Sequence, residues 1–203
     1  MTKVLFIEAQ RKDPININKK ELAKLPKELF IAYSIQYKKL ALAIKRELGK
    51  RVKGFKQVLG CTKLKTKYPI LLIGSGRFHA NNLAMQNSSP IYIYTDNKIQ
   101  KIDQKEIQKL KQRKQAAISR FLSEDKIGIL VSTKPGQNNN TLADKIKKKI
   151  EKKQKKAYIF LSNNINLQEL ENFDIKIWVN TACPGLAFDS NNVVNSDDIM
   201  PFL

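Results

Sequence analysis

Apolar residues along this chain fall into two kinds of run that alternate: short unbroken blocks, and longer stretches with helical spacing. Residues 29–35, 68–73, 91–94, 126–132, 157–161 and 175–179 are blocks of the first kind. Continuous apolar runs of this length are the composition of strands in a parallel sheet covered on both faces. Between them, residues 38–48 place Leu40, Ala41, Ile44 and Leu48 on one helical face, and Gly49 ends that helix as a C-terminal cap. Val52 opens a short extended piece that leads to Cys61. Residues 104–122 predict a long helix, basic outside, with Ile107, Leu110, Ala117, Ile118 and Phe121 toward a core. A further helix is expected from Thr141, taken as its cap, to about residue 155, and short helices over 81–86 and 167–170. Residues 3–9 read as a strand, 10–26 as a polar linker and 96–103 as a polar connection.

Strand, loop, helix and strand recur in this order, which implies α/β architecture with right-handed crossovers. The expected organisation is two similar domains, each a small parallel-type sheet flanked by helices. The first covers residues 29–103 and the second 104–203, with a strand and linker over 1–28 in front of them. A chain of 203 residues has enough length for both cores.

Charge changes the picture less than its size suggests. The formal net charge is +20, which invites a nucleic-acid or ribosomal reading. Lysine outnumbers arginine 32 to 6, however, and arginine is the residue of bidentate phosphate and base recognition. The lysines also spread over helix faces; those of the run 147–156 sit near a predicted helix C-terminus, where the dipole favours cations. No stretch reaches the length of a membrane span, and the N-terminus has no signal-peptide pattern, so a soluble cytoplasmic protein is expected. In that compartment a structural disulfide is not expected. The two cysteines, Cys61 and Cys183, are then buried small residues, reactive thiols or metal ligands.

Four loops follow predicted strands and carry the candidate chemistry. They are Ser34-Ile35-Gln36-Tyr37, Gly74-Ser75-Gly76-Arg77-Phe78-His79, Thr133-Lys134-Pro135-Gly136-Gln137 and Thr181-Ala182-Cys183-Pro184. Loops at strand ends are where α/β sheets place their ligands. Gly74 and Gly76 let backbone amides approach an anion, and Arg77 offers a cation for a carboxylate. The spacing matches neither a P-loop nor a dinucleotide fingerprint. His79, the single histidine, suits a general base, a metal ligand or an orienting donor. No second histidine or carboxylate cluster completes a zinc site.

In their order along the chain these loops resemble the 2-(3-amino-3-carboxypropyl)histidine synthases, which make the first intermediate of diphthamide, in their archaeal form. Gln57-Val58-Leu59-Gly60-Cys61-Thr62 is similar to the cysteine motif of the family's second domain, and Gly74-Ser75-Gly76-Arg77-Phe78-His79 to its glycine–phenylalanine–histidine loop. Lys134-Pro135-Gly136-Gln137 and Asn180-Thr181-Ala182-Cys183-Pro184 resemble its third-domain motifs, and Gln36 matches a second-domain glutamine. The resemblance implies three homologous α/β domains, each giving one cysteine to a 4Fe–4S cluster. It further implies S-adenosylmethionine as substrate, cleaved to a 3-amino-3-carboxypropyl radical that adds to a histidine of translation elongation factor 2. Cys61 and Cys183 are then cluster ligands. Gln36, Gly74, Ser75, Gly76, Arg77, His79, Lys134, Gly136 and Gln137 are the expected S-adenosylmethionine site, with Arg77, Lys134 and the glycine amides on its methionine end.

Two departures from the family pattern shape the expectation. The family's first domain, with its own cysteine, has no counterpart here beyond residues 3–9, which resemble its last strand, and Gly185 stands where family members commonly carry arginine. Cluster cysteines normally number three or four. The expectation is therefore a split enzyme, an oligomer in which a separate chain supplies the first domain and third cysteine. The alternatives are a degenerate, non-catalytic subunit of that enzyme, or a basic ribosome- or RNA-associated protein.

Overall fold

The computed structural model describes residues 7–12 and 14–203. The chain divides into two units, Met1–Gln108 and Lys109–Leu203. In the first, Asn18 accepts a hydrogen bond from the Glu21 amide and opens a short helix, α1 (Lys19–Ala23). Then come β1 (Leu29–Tyr33), α2 (Lys38–Leu48), β2 (Val52–Gln57), β3 (Ile70–Ile73), α3 (Arg77–Gln86), β4 (Ile91–Thr95) and β5 (Lys98–Lys101). The sheet order is β2-β1-β3-β4-β5, parallel except for the β4–β5 pair. Alternate residues of β3 explain why its sequence is apolar throughout. Leu71 and Ile73 pack with Ala41, Ile44 and Leu48 of α2, whereas Ile70 and Leu72 pack with Ala80, Leu83 and Ala84 of α3. The helices that follow β1 and β3 thus cover opposite faces, and the loops after these two neighbouring strands diverge. Such a switch point opens a crevice at the carboxyl ends of the strands.

The second unit repeats the plan. Helix α4 (Gln104–Ser123) leads in, with Ala117, Ile118 and Phe121 in this unit's core. It is followed by β6 (Lys126–Ser132), α5 (Asn140–Lys152), β7 (Lys156–Ser162), β8 (Ile177–Asn180), α6 (Leu186–Asp189), β9 (Val193–Asn195) and α7 (Ser196–Ile199). The sheet order is β7-β6-β8-β9, all parallel. Helix α5 packs with Ile127, Ile129 and Val131, while α6 lies on the opposite face with Leu130, Trp178 and Val193. The four parallel strands of the first sheet therefore have the same order as the second sheet and the same switch between their first and third strands, which is the two-fold α/β plan expected from the sequence; β5 is an extra antiparallel edge strand. Each also sets a glycine across from an aromatic of the adjacent strand: Gly54 opposite Phe30, and Gly128 opposite Trp178. A methyl group at either glycine would run into the ring.

Several elements differ from expectation. Of the strand read over 3–9, residues 3–6 lie outside the described residues and 7–9 are irregular. The polar linker over 10–26 contains α1, which buries Leu22 and Leu25 in the first core. The connection over 96–103 contains β5, joined to β4 through Asp96 and Asn97 with φ of 49° and 59°. Two consecutive positive φ values are those of the tight hairpin turn that Asp and Asn tolerate. Helix α3 begins four residues earlier than expected, directly after Gly76. Thr141 lies inside α5, whose N-cap position is Asn139, and α5 stops at Lys152. The helix expected over 167–170 is a 3-10 turn, Glu169–Asn172.

Candidate functional site

The switch point of the first sheet brings Ser34 and Gly74 together. Ser34 is buried, and a Cβ at Gly74 would lie 3.2 Å from its Oγ. Thr95 Oγ1 donates to the Gly74 carbonyl at 2.8 Å, fixing the loop from the neighbouring strand. Gly76 has φ 84°, a conformation that glycine adopts without strain. This bend starts α3 at Arg77 and leaves Ser75, Gly76 and Arg77 exposed. Arg77 Nη1 donates to both carboxylate oxygens of Glu106 at 3.2 Å, so its cation already has a partner. His79 is half-buried and meets Phe78 edge to face, with ring centroids 5.5 Å apart. Burial holds its pKa below the usual 6.5, which leaves the imidazole neutral at pH 7. Gln36 stands in the 3-10 turn after β1 and lines a cavity of about 150 Å³ with Arg11, Tyr37, Tyr94 and Asp96.

Cys61 follows the edge strand β2. Its loop turns back over the carboxyl end of the sheet: Val58 N donates to Tyr33 O of β1 at 2.8 Å, and Val58 is buried in the face that α3 covers. Gly60 then lies against the ring of Phe78, where a Cβ has no room. Asn82 Nδ2 donates to the Gly60 carbonyl at 2.7 Å. The loop carrying Cys61 is thus held against the helix that begins at Arg77. The thiol itself is free and exposed.

In the second unit Cys183 follows the inner strand β8, one loop away from the Lys134 segment. Asn180, 2% exposed, organises the turn. Its Nδ2 donates to Cys183 O and to Asn195 Oδ1, both at 2.8 Å, and its Oδ1 accepts from Ala182 N at 2.9 Å. Thr181 Oγ1 donates to Leu130 O at 2.8 Å. The Lys134 segment is a turn closed by Gln137 N donating to Lys134 O at 3.0 Å, with Gly136 at φ 77°. Asn139 Nδ2 donates to Thr181 O at 2.6 Å and ties the two loops together. Lys134, Gly136, Gln137 and Cys183 therefore share one end of this sheet. Cys183 is half-buried and free.

The two cysteines occupy different topological positions, Cys61 after an edge strand and Cys183 after an inner strand. Among the described residues no three His, Cys, Asp or Glu side chains gather as a metal site. Each cysteine is free on a loop tied to its own sheet, and a free thiol of this kind has the donor chemistry of an iron–sulfur ligand. What sequence reading missed is the carboxamides around them, Asn82, Asn139 and Asn195. Their signal is weak, since asparagine is frequent in this chain and equally at home on a surface. Among the described residues no helix is long and apolar enough to cross a membrane.

Comparison with known proteins follows the same lines. The 2-(3-amino-3-carboxypropyl)histidine synthase of Methanocaldococcus jannaschii is 30% identical over 168 residues, 80% of this chain and 46% of that protein. The crystal structure of Dph2 from Pyrococcus horikoshii superposes with a TM-score of 0.75 at 25% identity, over 90% of this chain and 59% of that one. The same protein with a 4Fe–4S cluster gives 0.73, also at 25% identity, over 90% and 58%. The chain thus spans about half the length of the relatives it matches. The family model for diphthamide synthesis proteins matches residues 1–193, nearly the whole sequence. With its two switch-point sheets and its cysteine and glycine loops set at their carboxyl ends, the chain belongs to the diphthamide synthesis protein family.

Proposed function

We propose that this chain is part of the enzyme for the first step of diphthamide synthesis, which transfers a 3-amino-3-carboxypropyl group from S-adenosylmethionine to a histidine of translation elongation factor 2. The observation that carries the reading is that both cysteines are free and each stands on a loop fixed at the carboxyl end of a parallel sheet. Cys61 and Cys183 would hold a 4Fe–4S cluster, and the further thiolate that such a cluster needs would come, in our reading, from a separate chain of the oligomer. A reduced cluster held there would supply the electron for breaking a carbon–sulfur bond of the sulfonium substrate.

The chain's own residues bind and orient. The backbone amides at Gly74, Ser75 and Gly76, with Lys134 of the second unit, suit the carboxylate of the methionine moiety. Arg77 joins them by exchanging Glu106 for the substrate, an exchange its 63% exposed side chain permits. Gln36, Gly136 and Gln137 supply neutral hydrogen-bond partners. A neutral His79 orients a polar group of the substrate and adds no charge beside the sulfonium. The basic surface favours an acidic face of the elongation factor by electrostatic steering.

The test is anaerobic reconstitution with ferrous iron and sulfide, alone and with a candidate chain carrying the third cysteine, read by absorbance and electron paramagnetic resonance. A 4Fe–4S signal in the mixture, lost in Cys61→Ala and in Cys183→Ala, is the expected result. Its absence from both samples favours a non-catalytic subunit. Steeply salt-dependent RNA affinity without a cluster would instead mark an RNA-associated protein.

A further inference from the structure

The stretch 58–69, which carries Cys61, contains no regular structure, yet its backbone is not left to solvent. Helix α3 places Phe78, Asn82 and Gln86 one turn apart on one face, and Asn87 follows at its end. Phe78 covers Gly60, and Asn82 Nδ2 donates to Gly60 O at 2.7 Å. Gln86 then pairs as a peptide group would, donating to Thr62 O at 3.1 Å and accepting from Leu64 N at 3.0 Å. Asn87 repeats this two residues on, donating to Leu64 O at 2.8 Å and accepting from Thr66 N at 2.9 Å. Residues 60, 62, 64 and 66 are thus paired with side-chain amides in the alternating pattern of a β ladder. A strand would need a partner strand there; α3 supplies its carboxamides instead.

We propose that Asn82, Gln86 and Asn87 are positioning residues for Cys61, holding its sulfur at a fixed place relative to the Gly74–Arg77 loop. The link is direct, because the helix that carries the carboxamides begins at Arg77. The inference rests on the reading of Cys61 as a cluster ligand for its purpose, but not for its measurement. A loop without regular structure that must present one thiolate to a rigid cluster needs its backbone fixed by something outside itself. The carboxamides also fix the loop against the segment proposed to bind the substrate's methionine end, so ligand and substrate are set by one helix.

The experiment uses a nitroxide label on Cys61 in a Cys183→Ser background, together with amide hydrogen exchange. In the parent, the label gives a restricted spectrum and the Leu64 and Thr66 amides are protected. In Asn82→Ala/Gln86→Ala, a mobile component appears and exchange at Leu64 rises about tenfold, the scale of one lost hydrogen bond. The core amides of Ile31 and Leu71 keep their protection, which separates loss of positioning from unfolding. Gln86→Glu, which keeps the acceptor for Leu64 N and loses the donor to Thr62 O, retains protection at Leu64 but gives the label its mobile component, and serves where the double variant does not fold. An unchanged spectrum with unchanged exchange in the variants overturns the proposal. If these readouts respond while the parent takes up no iron with any partner chain, the positioning role stands and the cluster reading falls.

Discussion

Asn180 donates from Nδ2 to Oδ1 of Asn195 at 2.8 Å, and this one bond joins the ends of β8 and β9 beneath the Cys183 turn. The same nitrogen reaches Cys183 O, while Asn195 Nδ2 reaches Pro184 O at 3.3 Å. Two side chains thereby hold the carbonyls of two successive residues, Cys183 and Pro184. Burial makes the arrangement costly to break, since each group left without a partner loses its solvation as well.

Asn180→Ala is accordingly expected to destabilise the protein by about 1–3 kcal/mol, the usual penalty for buried groups left unpaired. Asn180→Asp should be at least as damaging, because it removes both donated bonds and buries a charge. Chemical denaturation of the two variants against the parent checks the ranking.

Gly128 lies under Trp178, the single tryptophan of the chain. Gly128→Ala forces the indole from its place and is expected to cost about 1–3 kcal/mol, as overpacking of a close-packed core does. Because no other tryptophan contributes, the emission of Trp178 should shift in the folded variant. An unshifted spectrum with unchanged stability would falsify this account of the packing.

His79 makes stability depend on pH. Burial lowers its folded pKa below 6.5, so the unfolded chain binds more protons between the folded pKa and 6.5. Its contribution is therefore complete above pH 6.5 and is lost as pH falls toward the folded value. His79→Gln should flatten the stability profile between pH 7 and 5, with little change at pH 8. Denaturation midpoints measured across that range decide it.

Lys155 caps the end of α4, donating from Nζ to the carbonyls of Phe121, Leu122 and Glu124 at 3.2, 2.6 and 2.9 Å. Lys155→Met keeps the apolar stem and removes the three bonds. The expected loss is about 1–2 kcal/mol, since the cation also faces the negative end of the helix dipole. Amide exchange should rise in the last turn of α4, and an unchanged profile there would count against the cap.

How far the sequence reveals this molecule depends on which interaction decides each element. Helix α2 and strand β6 are legible to the residue, because burial on one stripe or on both faces writes itself into periodicity. Strand β5 is not, since Lys98-Ile99-Gln100-Lys101 is an edge strand whose exposed lysines look like a linker; only the Asp96-Asn97 turn betrays it. Helix α1 is hidden for a related reason, as five residues are too few for a period and Leu22 is its one buried side chain. The cysteine loops and the glycine loop are recognisable as motifs, and the switch points explain the places of the Gly74 and Cys183 loops but not that of the Cys61 loop, which follows the edge strand β2. The pairing of Asn82 and Gln86 with the Cys61 loop is invisible in sequence, because it joins residues about twenty positions apart through polar groups that carry no pattern.

The groups that hold both cysteine loops are carboxamides, and this has an electrostatic consequence. Asn82, Gln86 and Asn87 on one side, and Asn139, Asn180 and Asn195 on the other, bind backbone without carrying net charge. Carboxylates in their place would repel a thiolate and raise the energy of an anionic cluster, while lysines would pair with the sulfur and compete with iron. Amides also do not titrate in the physiological range, so the loops keep their geometry through any change of pH that leaves the sheets folded.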